Sequence, residues 1–362
     1  MSAKLVLIAA GGTGGHMFPA RAFADALIAR GGRVALVTDP RGARYAEGFP
    51  AETVITLPVA NADEGGLVGK VKASLGHARG LALMASRMGG LNPGLIAGFG
   101  GYPSFPALAV AGARPILIHE QNAVLGRVNR FFQNRAGLIA SGFARLDRLQ
   151  SANAARHVVT GNPVRAAIVG ARDSMWEAPV TTGPLRILVT GGSQGARLFG
   201  TAIPAALVAL PEAMRSRLEM VHQVRAEQVE AVQATYADVG IRATVAPFFS
   251  DMAERLSWSH LVIGRAGAST VSEIAIVGRA AILIPLAIAA NDHQTANAAA
   301  LADCGAAEVI AEAALTPERL TASLAALLDD SDALIARAAA ARAVGKPGAA
   351  DSLAEHALKL AR

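Results

Sequence analysis

The sequence has little that would suit an oxidising compartment, a lipid bilayer or the bases of a nucleic acid. It contains one cysteine, Cys304, so no internal disulfide can form, and this composition is typical of a reducing cytoplasm. Hydrophobic residues make up 52% of the chain and the mean hydropathy is +0.36, yet no apolar run reaches the length of a membrane span. Aromatic residues make up only 4%, and no nucleic-acid-binding signature is present. We therefore expect no nucleic-acid partner.

Acidic residues are also missing from one long segment. Between Glu64 and Glu120 there is no aspartate or glutamate, while lysine and arginine recur there and continue as far as Arg145. The net charge of the whole chain is +6. A one-sided basic face attracts anionic lipid or a phosphorylated substrate. We expect a membrane surface or a phosphate group as its partner.

Strand and helix patterns alternate through both halves of the chain, which at 362 residues is long enough for two domains. This alternation predicts an α/β fold with two Rossmann-like domains, each built on a parallel, doubly wound sheet. Segment 162–184 is richer in proline, glycine and polar residues and is interpreted as the crossover. The predicted domains are 1–163 with 345–362, and 164–344.

One device occurs twice: an apolar strand, a glycine-rich turn and a helix. GGTGGH occupies 11–16, and GGSQGA occupies 191–196. Such a turn lets the backbone approach a ligand closely, and the N–H groups at the start of the following helix favour an anion. The first copy alone ends in a histidine, His16. It is either a helix-start residue facing solvent or a general base, because histidine titrates near neutral pH.

Three polar residues follow predicted strands of the first half. HEQN, at 119–122, places Glu120 and Asn122 at a strand end, either to hold loops or to contact a ligand. GNPVR, at 161–165, ends in Arg165, whose forked guanidinium suits a diphosphate, although it is equally compatible with an ion pair at the domain junction.

The most specific segments lie late in the chain. GRAGASTVSEIAIVG, at 264–278, starts a helix with Ser269, Thr270 and Glu273. Glu273 is interpreted either as an acid favoured by the helix dipole or as an acceptor for the two hydroxyls of a ribose. NDHQTANA, at 291–298, offers Gln294 to sugar hydroxyls. An N-cap role for Asn291 or Asp292 does not account for Gln294.

Two other interpretations stay open on the residues alone. Gly12 and Gly14 fit a dinucleotide fingerprint and Asp39 could be its ribose acid, but Met17 occupies the third glycine position. A nicotinamide-dependent or non-catalytic nucleotide-binding protein is therefore an alternative. DSD, at 330–332, would suit a metal-dependent glycosyltransferase, but it lies away from every glycine turn and is interpreted as a solvated loop.

Taken in order, seven segments spanning nearly the whole chain resemble the MurG family, the bacterial UDP-N-acetylglucosamine transferases of peptidoglycan synthesis. They are GGTGGH, GFGGY, HEQN, GNPVR, GGSQGA, ASTVSE and NDHQTANA. The resemblance implies a GT-B fold whose last helix returns to the first domain. It also implies transfer of N-acetylglucosamine from UDP-N-acetylglucosamine, with inversion, to the C4 hydroxyl of an N-acetylmuramyl-pentapeptide carried on undecaprenyl diphosphate. A UDP-N-acetylglucosamine epimerase or another GT-B transferase is the alternative on the same scaffold.

The resemblance also implies roles for matched residues. Ser193 and Gln194 would contact the diphosphate and the sugar of the donor, and Gln294 would contact the transferred sugar. Glu273 would hold the ribose, with Ser269 and Thr270 at the same helix start, and Phe249 would lie beside the uracil. Arg165 and Asn122 would complete the donor site. The acceptor side of the cleft would be lined by Thr13, Gly14 and Gly15. His16 would be the base, with Glu120 as the other candidate. Only the acceptor side removes a proton, which explains why only one turn ends in histidine.

The residues themselves agree with this mechanism, because helix N-terminal N–H groups and Arg165 could stabilise the departing UDP without a metal. We therefore expect no metal and no cofactor. The resemblance implies peripheral attachment to the cytoplasmic face of the bacterial inner membrane. Six apolar residues recur at helical spacing among lysines and arginines, and they are a candidate face for contact with an anionic membrane. They are Val68, Val71, Leu75, Leu81, Met84 and Met88. The alternative is that this stripe packs on the sheet.

Overall fold

In the computed structural model, residues 4–58, 66–192, 195–287 and 292–361 are described, with the backbone alone for 66–75. The chain divides into two compact units, Met1–Arg165 with Pro347–Arg362, and Ala166–Lys346. Both boundaries fall two residues after the predicted ones. Arg165, which the predicted division assigns to the second domain, therefore belongs to the first unit.

The described part of the first unit contains a seven-stranded sheet in which all pairings are parallel. Its inner strands are buried and mostly apolar, as expected of parallel strands covered on both faces, whereas the edge strands at 53–56 and 157–159 are partly exposed. They are β1 Leu5–Ala9, β2 Arg33–Thr38, β3 Thr53–Thr56, β4 Leu95–Gly98, β5 Ile116–Glu120, β6 Leu138–Ser141 and β7 His157–Val159. Their spatial order is β3-β2-β1-β4-β5-β6-β7.

The strand order decides which loops of the first unit meet. The chain runs outward from β1 in one direction, and β4 then pairs with the other edge of β1. Crevices for ligands form at such a reversal, outside the carboxyl ends of the strands. The loop after β1 is GGTGGH and the loop after β4 begins GFGGY. Both motifs therefore lie at the switch point of this sheet.

Helices cover both faces of the first sheet. They are α1 Gly14–Ala29, α2 Gly66–Leu91, α3 Ser104–Ala109, α4 Arg127–Phe132 and the last helix of the chain, α14 Ala349–Leu360. In α14 the side chains of Leu353, Ala354 and Ala357 share one face and are buried in the cluster that contains α1. Arg30, which follows α1, forms an ion pair of 2.6 Å with Asp351. The C-terminal helix is therefore a part of the first unit.

The second unit repeats the scheme with a six-stranded parallel sheet in its described residues. The strands are β8 Leu185–Thr190, β9 Leu218–Gln223, β10 Arg242–Ala246, β11 Leu261–Gly264, β12 Ala280–Leu283 and β13 Ala307–Val309, in the order β10-β9-β8-β11-β12-β13. The reversal falls between β8 and β11. GGSQGA follows β8 and GRAGAST begins at the end of β11, so this switch point also carries two of the singled-out motifs.

The helices of the second unit are α5 Ala166–Ala171, α6 Phe199–Val208, α7 Glu212–Arg215, α8 Val229–Asp238, α9 Met252–Trp258, α10 Ala268–Val277, α11 His293–Ala302, α12 Pro317–Leu328 and α13 Ser331–Val344. Local chemistry sets several of their ends. The Thr316 hydroxyl caps α12 by accepting the Arg319 N–H at 3.2 Å, and Pro317 occupies the first helical position.

Two residues of the apolar stripe of α2, Met84 and Met88, pack on the sheet. Met84 is fully buried and Met88 nearly so, both in the cluster beneath the first sheet, while Leu81 is half-buried. The side chains of Val68, Val71 and Leu75 lie outside the described residues. Among the described residues, no helix is both long and apolar enough to cross a bilayer.

Candidate functional site

Two glycine-rich turns of the first unit pack directly against each other. Gly12 and Gly101 have φ angles of +85° and +73°, in the left-handed region that favours glycine. A Cβ at Gly101 would lie 2.7 Å from the carbonyl oxygen of Gly11. The Ser104 hydroxyl lies 2.9 Å from the Ala9 carbonyl oxygen and ties the start of α3 to the end of β1. The glycines of GFGGY are thus explained by close packing on GGTGGH.

Asp39 anchors this pair of turns. Its carboxylate is almost completely buried, and its Oδ1 accepts the N–H of Gly12 at 2.9 Å and that of Gly42 at 2.7 Å. In a dinucleotide site the equivalent acid would bind ribose hydroxyls. Here Asp39 binds backbone instead, which removes the residue on which the nicotinamide interpretation depended.

The acceptor-side residues of the sequence analysis form the first turn of α1. Thr13 is the exposed N-cap residue, and in the described part of the chain its hydroxyl caps no backbone N–H. Gly14 and Gly15 follow as the first two helical residues, where backbone N–H groups have no intrahelical partner. Thr13, Gly14 and Gly15 therefore offer a hydroxyl and N–H donors at the switch point.

His16 belongs to a chain of hydrogen-bonded side chains. Its Nδ1 lies 2.9 Å from Oε1 of Gln121, and Gln121 Nε2 lies 3.0 Å from Nδ1 of His119. His119 Nε2 in turn lies 3.2 Å from the Gly161 carbonyl oxygen. His16 is half-buried, whereas His119 and Gln121 are buried. Burial lowers the pKa of His119 to about 4, so its ring is neutral at physiological pH.

Glu120, the other candidate base, is saturated with hydrogen bonds. Its Oε1 accepts the N–H of Asn122 at 3.1 Å and the Asn122 side-chain amide at 3.3 Å. Its Oε2 accepts the Gly126 N–H at 2.9 Å and the Asn129 amide at 2.8 Å. The carboxyl group is also nearly inaccessible. This geometry is that of a residue holding the loop after β5, and it ties Asn122 to the same loop.

The side chain of Arg165 packs against helix α1. Its guanidinium lies over the ring of Phe18 in α1, 5.2 Å from the ring centroid. A cation in this position is attracted by the negative face of the ring and is held near the first turn of α1. Arg165 therefore lies beside α1 in the first unit, close in sequence to Gly161 of the hydrogen-bonded chain.

In the second unit, side chains brace the turn after β8. The Thr190 hydroxyl donates to Gln223 Oε1 at 2.9 Å, and Gln223 Nε2 lies 3.3 Å from the Gly192 carbonyl oxygen. Gly192 and Gly195 have φ angles of +75° and +64°. Ser193 and Gln194, the expected diphosphate contacts, lie outside the described residues. The next helix, α6, begins at Phe199 and not directly after the motif, in contrast to α1.

The helix start after β11 corrects one interpretation of Glu273. Helix α10 begins at Ala268 with Gly267 as N-cap, and its first turn contains no acidic residue. Glu273 is the sixth helical residue, so the helix dipole alone does not account for it. Ser269 and Thr270 are half-buried, as is Glu273, and residues three and four apart share one helix face. These three side chains therefore form one polar face near the switch point.

The loop between β12 and α11 is fastened at both ends. Gln294 Oε1 accepts the Leu286 N–H at 3.0 Å. Asp292 is the N-cap residue of α11, with a φ of +53°, and its carboxylate accepts the Thr295 hydroxyl at 2.7 Å. Asn291 lies outside the described residues. Part of the Gln294 amide is thus used within the loop, a role that the sequence analysis did not anticipate.

Arg265 is a buried cation at the switch point of the second sheet that the sequence analysis did not single out. It directly follows β11 and is 7% exposed. Its Nη1 donates to Glu312 Oε2 at 2.7 Å, and the guanidinium lies over the Phe199 ring, 4.9 Å from the centroid. Glu312 Oε2 also accepts the Ala287 N–H at 3.2 Å. The sequence could have indicated this residue, because an arginine directly after a buried strand needs an acidic or carbonyl partner for its charge.

The aromatic assignment after β10 is also corrected. Phe249, expected beside a uracil, is only 8% exposed, and the Arg255 guanidinium lies 5.1 Å from its ring centroid. Its neighbour Phe248 is 72% exposed. β10 ends at Ala246, and after it Pro247 and Phe248 are both exposed while Phe249 turns inward. Phe248 is therefore the ring available to a ligand.

The acidic segment at 330–332 has a structural role. The Asp330 carboxylate accepts the Ala333 N–H at 2.8 Å and caps α13, and Ser331 and Asp332 are its first residues. The expected solvated loop is thus a helix start, because Asp330 supplies the acceptor that the first turn needs.

Family comparisons match both units. The N-terminal domain of glycosyltransferase family 28 matches residues 6–141, and the C-terminal domain of that family matches residues 186–353. The chain is 52% identical over 98% of its length to the UDP-N-acetylglucosamine–N-acetylmuramyl-(pentapeptide) pyrophosphoryl-undecaprenol N-acetylglucosamine transferase of Maricaulis maris, covering 97% of that protein.

Solved structures extend the comparison to the fold. The crystal structure of Acinetobacter baumannii MurG matches with a TM-score of 0.79 and 34% identity, covering 98% of this chain and 99% of that one. The UDP-GlcNAc 2-epimerase of Neisseria meningitidis matches with a TM-score of 0.67 over 98% of this chain and 100% of that one, at 12% identity. The second likeness shows the fold alone, which is the GT-B class of two Rossmann-like domains.

Proposed function

The chain belongs to the family of UDP-N-acetylglucosamine–N-acetylmuramyl-(pentapeptide) pyrophosphoryl-undecaprenol N-acetylglucosamine transferases, and on that premise we propose how its residues divide the reaction. The enzyme transfers N-acetylglucosamine from UDP-N-acetylglucosamine to the C4 hydroxyl of the muramyl-pentapeptide on undecaprenyl diphosphate. The observation that carries this function is 52% identity over 98% of the chain. Its product is the disaccharide-linked lipid precursor of peptidoglycan.

We assign the donor to the second unit. The polar face of α10 supplies Glu273 for the ribose, with Ser269 and Thr270 beside it. The exposed ring of Phe248 is available for the uracil, since stacking is the sequence-tolerant way to hold a base. The turn at 191–196, including Ser193 and Gln194, would receive the diphosphate, and Gln294 the sugar. Support comes from the order of the elements, because these segments follow β8, β10, β11 and β12 at the carboxyl edge of one parallel sheet.

We assign the acceptor and the proton transfer to the first unit. The C4 oxygen attacks C1 of the donor sugar as its proton passes to Nε2 of His16, and the bond from C1 to the diphosphate oxygen breaks with its electron pair leaving on UDP. Attack opposite the leaving group inverts C1. Thr13, Gly14 and Gly15 contact the acceptor at the first turn of α1. Glu120 is left in its structural role because four donors already occupy its oxygens.

Stabilisation of the leaving UDP is assigned to groups of the chain itself. Preorganised N–H groups and cations placed where negative charge develops are among the largest contributions to catalysis. Arg165, held over Phe18, supplies the cation, and Asn122 completes the set. This assignment predicts that turnover survives an excess of chelator.

We further propose that α4 contacts the anionic cytoplasmic face of the membrane, where the lipid substrate is anchored. Phe131 is 68% exposed and packs with Phe105 and Phe132, at centroid distances of 5.6 and 4.9 Å. Arg127 and Arg130, on the same helix, are exposed. An exposed aromatic ring between cations is the pattern of peripheral membrane contact.

The test of this function is UDP release from UDP-N-acetylglucosamine, with and without a lipid-linked muramyl-pentapeptide, in excess chelator. We expect release that depends on the acceptor. We expect His16→Ala to retain donor binding in calorimetry and to lose about 10²- to 10⁴-fold in kcat, the range of a general base. Donor binding without acceptor-dependent release would contradict the transferase. Unchanged turnover in His16→Ala would remove His16 from the mechanism and leave the transferase standing.

A further inference from the structure

In the series of hydrogen bonds that ends at His16, each group has a fixed role as donor or acceptor. The series runs from the Gly161 carbonyl through His119 and Gln121 to Nδ1 of His16, with distances of 3.2, 3.0 and 2.9 Å. A histidine ring and a glutamine amide are each ambiguous in isolation, because either end of the group donates or accepts. Here two backbone carbonyls, which only accept, remove the ambiguity.

The first carbonyl sets the ring of His119. Its Nε2 faces the Gly161 oxygen and must carry the proton, so in the neutral ring Nδ1 is the acceptor. The second carbonyl sets the amide of Gln121. Its nitrogen lies 3.2 Å from the oxygen of His119, as well as 3.0 Å from His119 Nδ1. The amide nitrogen therefore faces His119, and the amide oxygen faces His16.

We propose that Gln121 and His119 are positioning residues that hold His16 in the tautomer protonated on Nδ1, so that the lone pair of its neutral ring lies on Nε2. An amide oxygen accepts and cannot donate, so the bond of 2.9 Å requires a proton on His16 Nδ1. The opposite nitrogen is then the proton acceptor. The catalytic consequence of this inference rests on the proposed role of His16 as base; the tautomer itself does not.

The surroundings keep the chain in one state. His119 is fully buried and its ring is stacked on Phe99, 5.1 Å between centroids at 30°. Burial holds the His119 ring neutral, which preserves its acceptor on Nδ1. The backbone oxygen of Gln121 accepts the Asn162 amide at 2.9 Å, which fixes the residue from the other side. Orientation of a catalytic histidine by a partner on its distal nitrogen is a general way to select its tautomer.

The experiment is nitrogen NMR of the full chain labelled with ¹⁵N-histidine, which contains eight histidines. The His16 signals are assigned by their loss in His16→Gln. In the wild type, at a pH where the ring is neutral, we expect Nδ1 to have the shift of a protonated nitrogen and Nε2 that of an unprotonated one. In Gln121→Met, which keeps the length of the side chain, we expect a mixture or the opposite tautomer.

Kinetics test the consequence. Gln121→Met is expected to lower kcat by roughly tenfold or more, within the range of general-base catalysis, and to leave the KM for UDP-N-acetylglucosamine nearly unchanged. The matched control is Gln133→Met, because Gln133 is a fully buried, hydrogen-bonded glutamine of the same unit. It should lower stability while keeping the His16 tautomer and kcat.

A second pair of variants serves if Gln121→Met does not fold. His119→Asn offers an acceptor near the former Nδ1 and should retain the tautomer better than His119→Phe, which offers none. A wild-type His16 protonated on Nε2, or an unchanged tautomer in both Gln121→Met and His119→Phe, would overturn the inference. If the tautomer is as stated but His16→Ala is active, the base assignment fails and the positioning inference stands.

Discussion

Replacing Glu120 by glutamine tests whether its carboxylate holds the loop after β5 or acts as the catalytic base. Glutamine has nearly the same size, but one of the two oxygens becomes an NH₂ group that only donates. In the structure, Oε1 accepts two hydrogen bonds from Asn122, and Oε2 accepts one from Gly126 and one from Asn129. Whichever way the new amide turns, its NH₂ group therefore faces two of these four donors and cannot accept their hydrogen bonds.

The magnitude follows from those two bonds. A hydrogen bond to a charged group contributes about 1.5–3 kcal/mol, so losing two should lower the free energy of unfolding by at least about 3 kcal/mol. Turnover of the folded variant should fall by less than about tenfold, since a lost general base would cost ~10²–10⁴-fold. A loop-holding role thus predicts a large change in stability and a small change in kcat.

The assay uses the placement of the two tryptophans. Trp176 and Trp258 both belong to the second unit, so their fluorescence follows that unit, whereas far-ultraviolet circular dichroism follows both. In Glu120→Gln we expect the dichroism transition in urea to begin at lower denaturant than the fluorescence transition. Two transitions of this kind are analysed separately because a two-domain chain need not unfold in one step.

Glu52→Gln is the matched control, because Glu52 is an exposed carboxylate of the same unit paired with Arg33. Exposed ion pairs contribute little, so its unfolding should resemble that of the wild type. A Glu120→Gln enzyme with unchanged unfolding and a loss of kcat beyond about 100-fold would refute the reasoning and return Glu120 to the role of base.

Three further predictions concern separate parts of the molecule. Phe248→Ala should raise the KM for UDP-N-acetylglucosamine about 5- to 150-fold, by loss of about 1–3 kcal/mol of stacking, and leave the melting temperature nearly unchanged. Phe249→Ala should instead lower stability by about 3 kcal/mol, and equal effects of the two changes on the KM would contradict the distinction. Phe131→Ser should weaken co-sedimentation with phosphatidylglycerol vesicles without changing kcat on a water-soluble acceptor, and unaltered vesicle binding would exclude α4 as the contact. Burial lowers the pKa of His119 to about 4 and of His222 to about 3 from 6.5, so below pH 6.5 the unfolded chain binds more protons than the folded one. Stability from these two groups is complete above pH 6.5 and should fall as the pH drops toward 4, each by up to about 1.4 kcal/mol per pH unit, in urea unfolding at stepped pH.

Local patterns were sufficient to predict the alternation of strands and helices in both units. Buried parallel strands are continuous apolar runs, and glycine-rich turns mark where they end, so the strands of the two sheets could be located before any contact was known. The order of the motifs along the chain likewise indicated the family. Local periodicity did not decide between Phe248 and Phe249, because β10 ends at Ala246 and both Pro247 and Phe248 are exposed after it.

Contacts between residues distant in sequence were decided only by the tertiary structure. The bond between His16 and Gln121 spans 105 residues, and the use of Asp39 by Gly12 spans 27. Nothing in the sequence near His16 indicates its partner, because strand order, not strand pattern, brings the ends of β1, β4 and β5 together. The role of Glu120 was likewise not determined by the sequence. Its sequence position is that of a catalytic acid or base, but the four donors that occupy it come from the folded loop around it, and hydrogen bonding in three dimensions determines what a carboxylate is free to do.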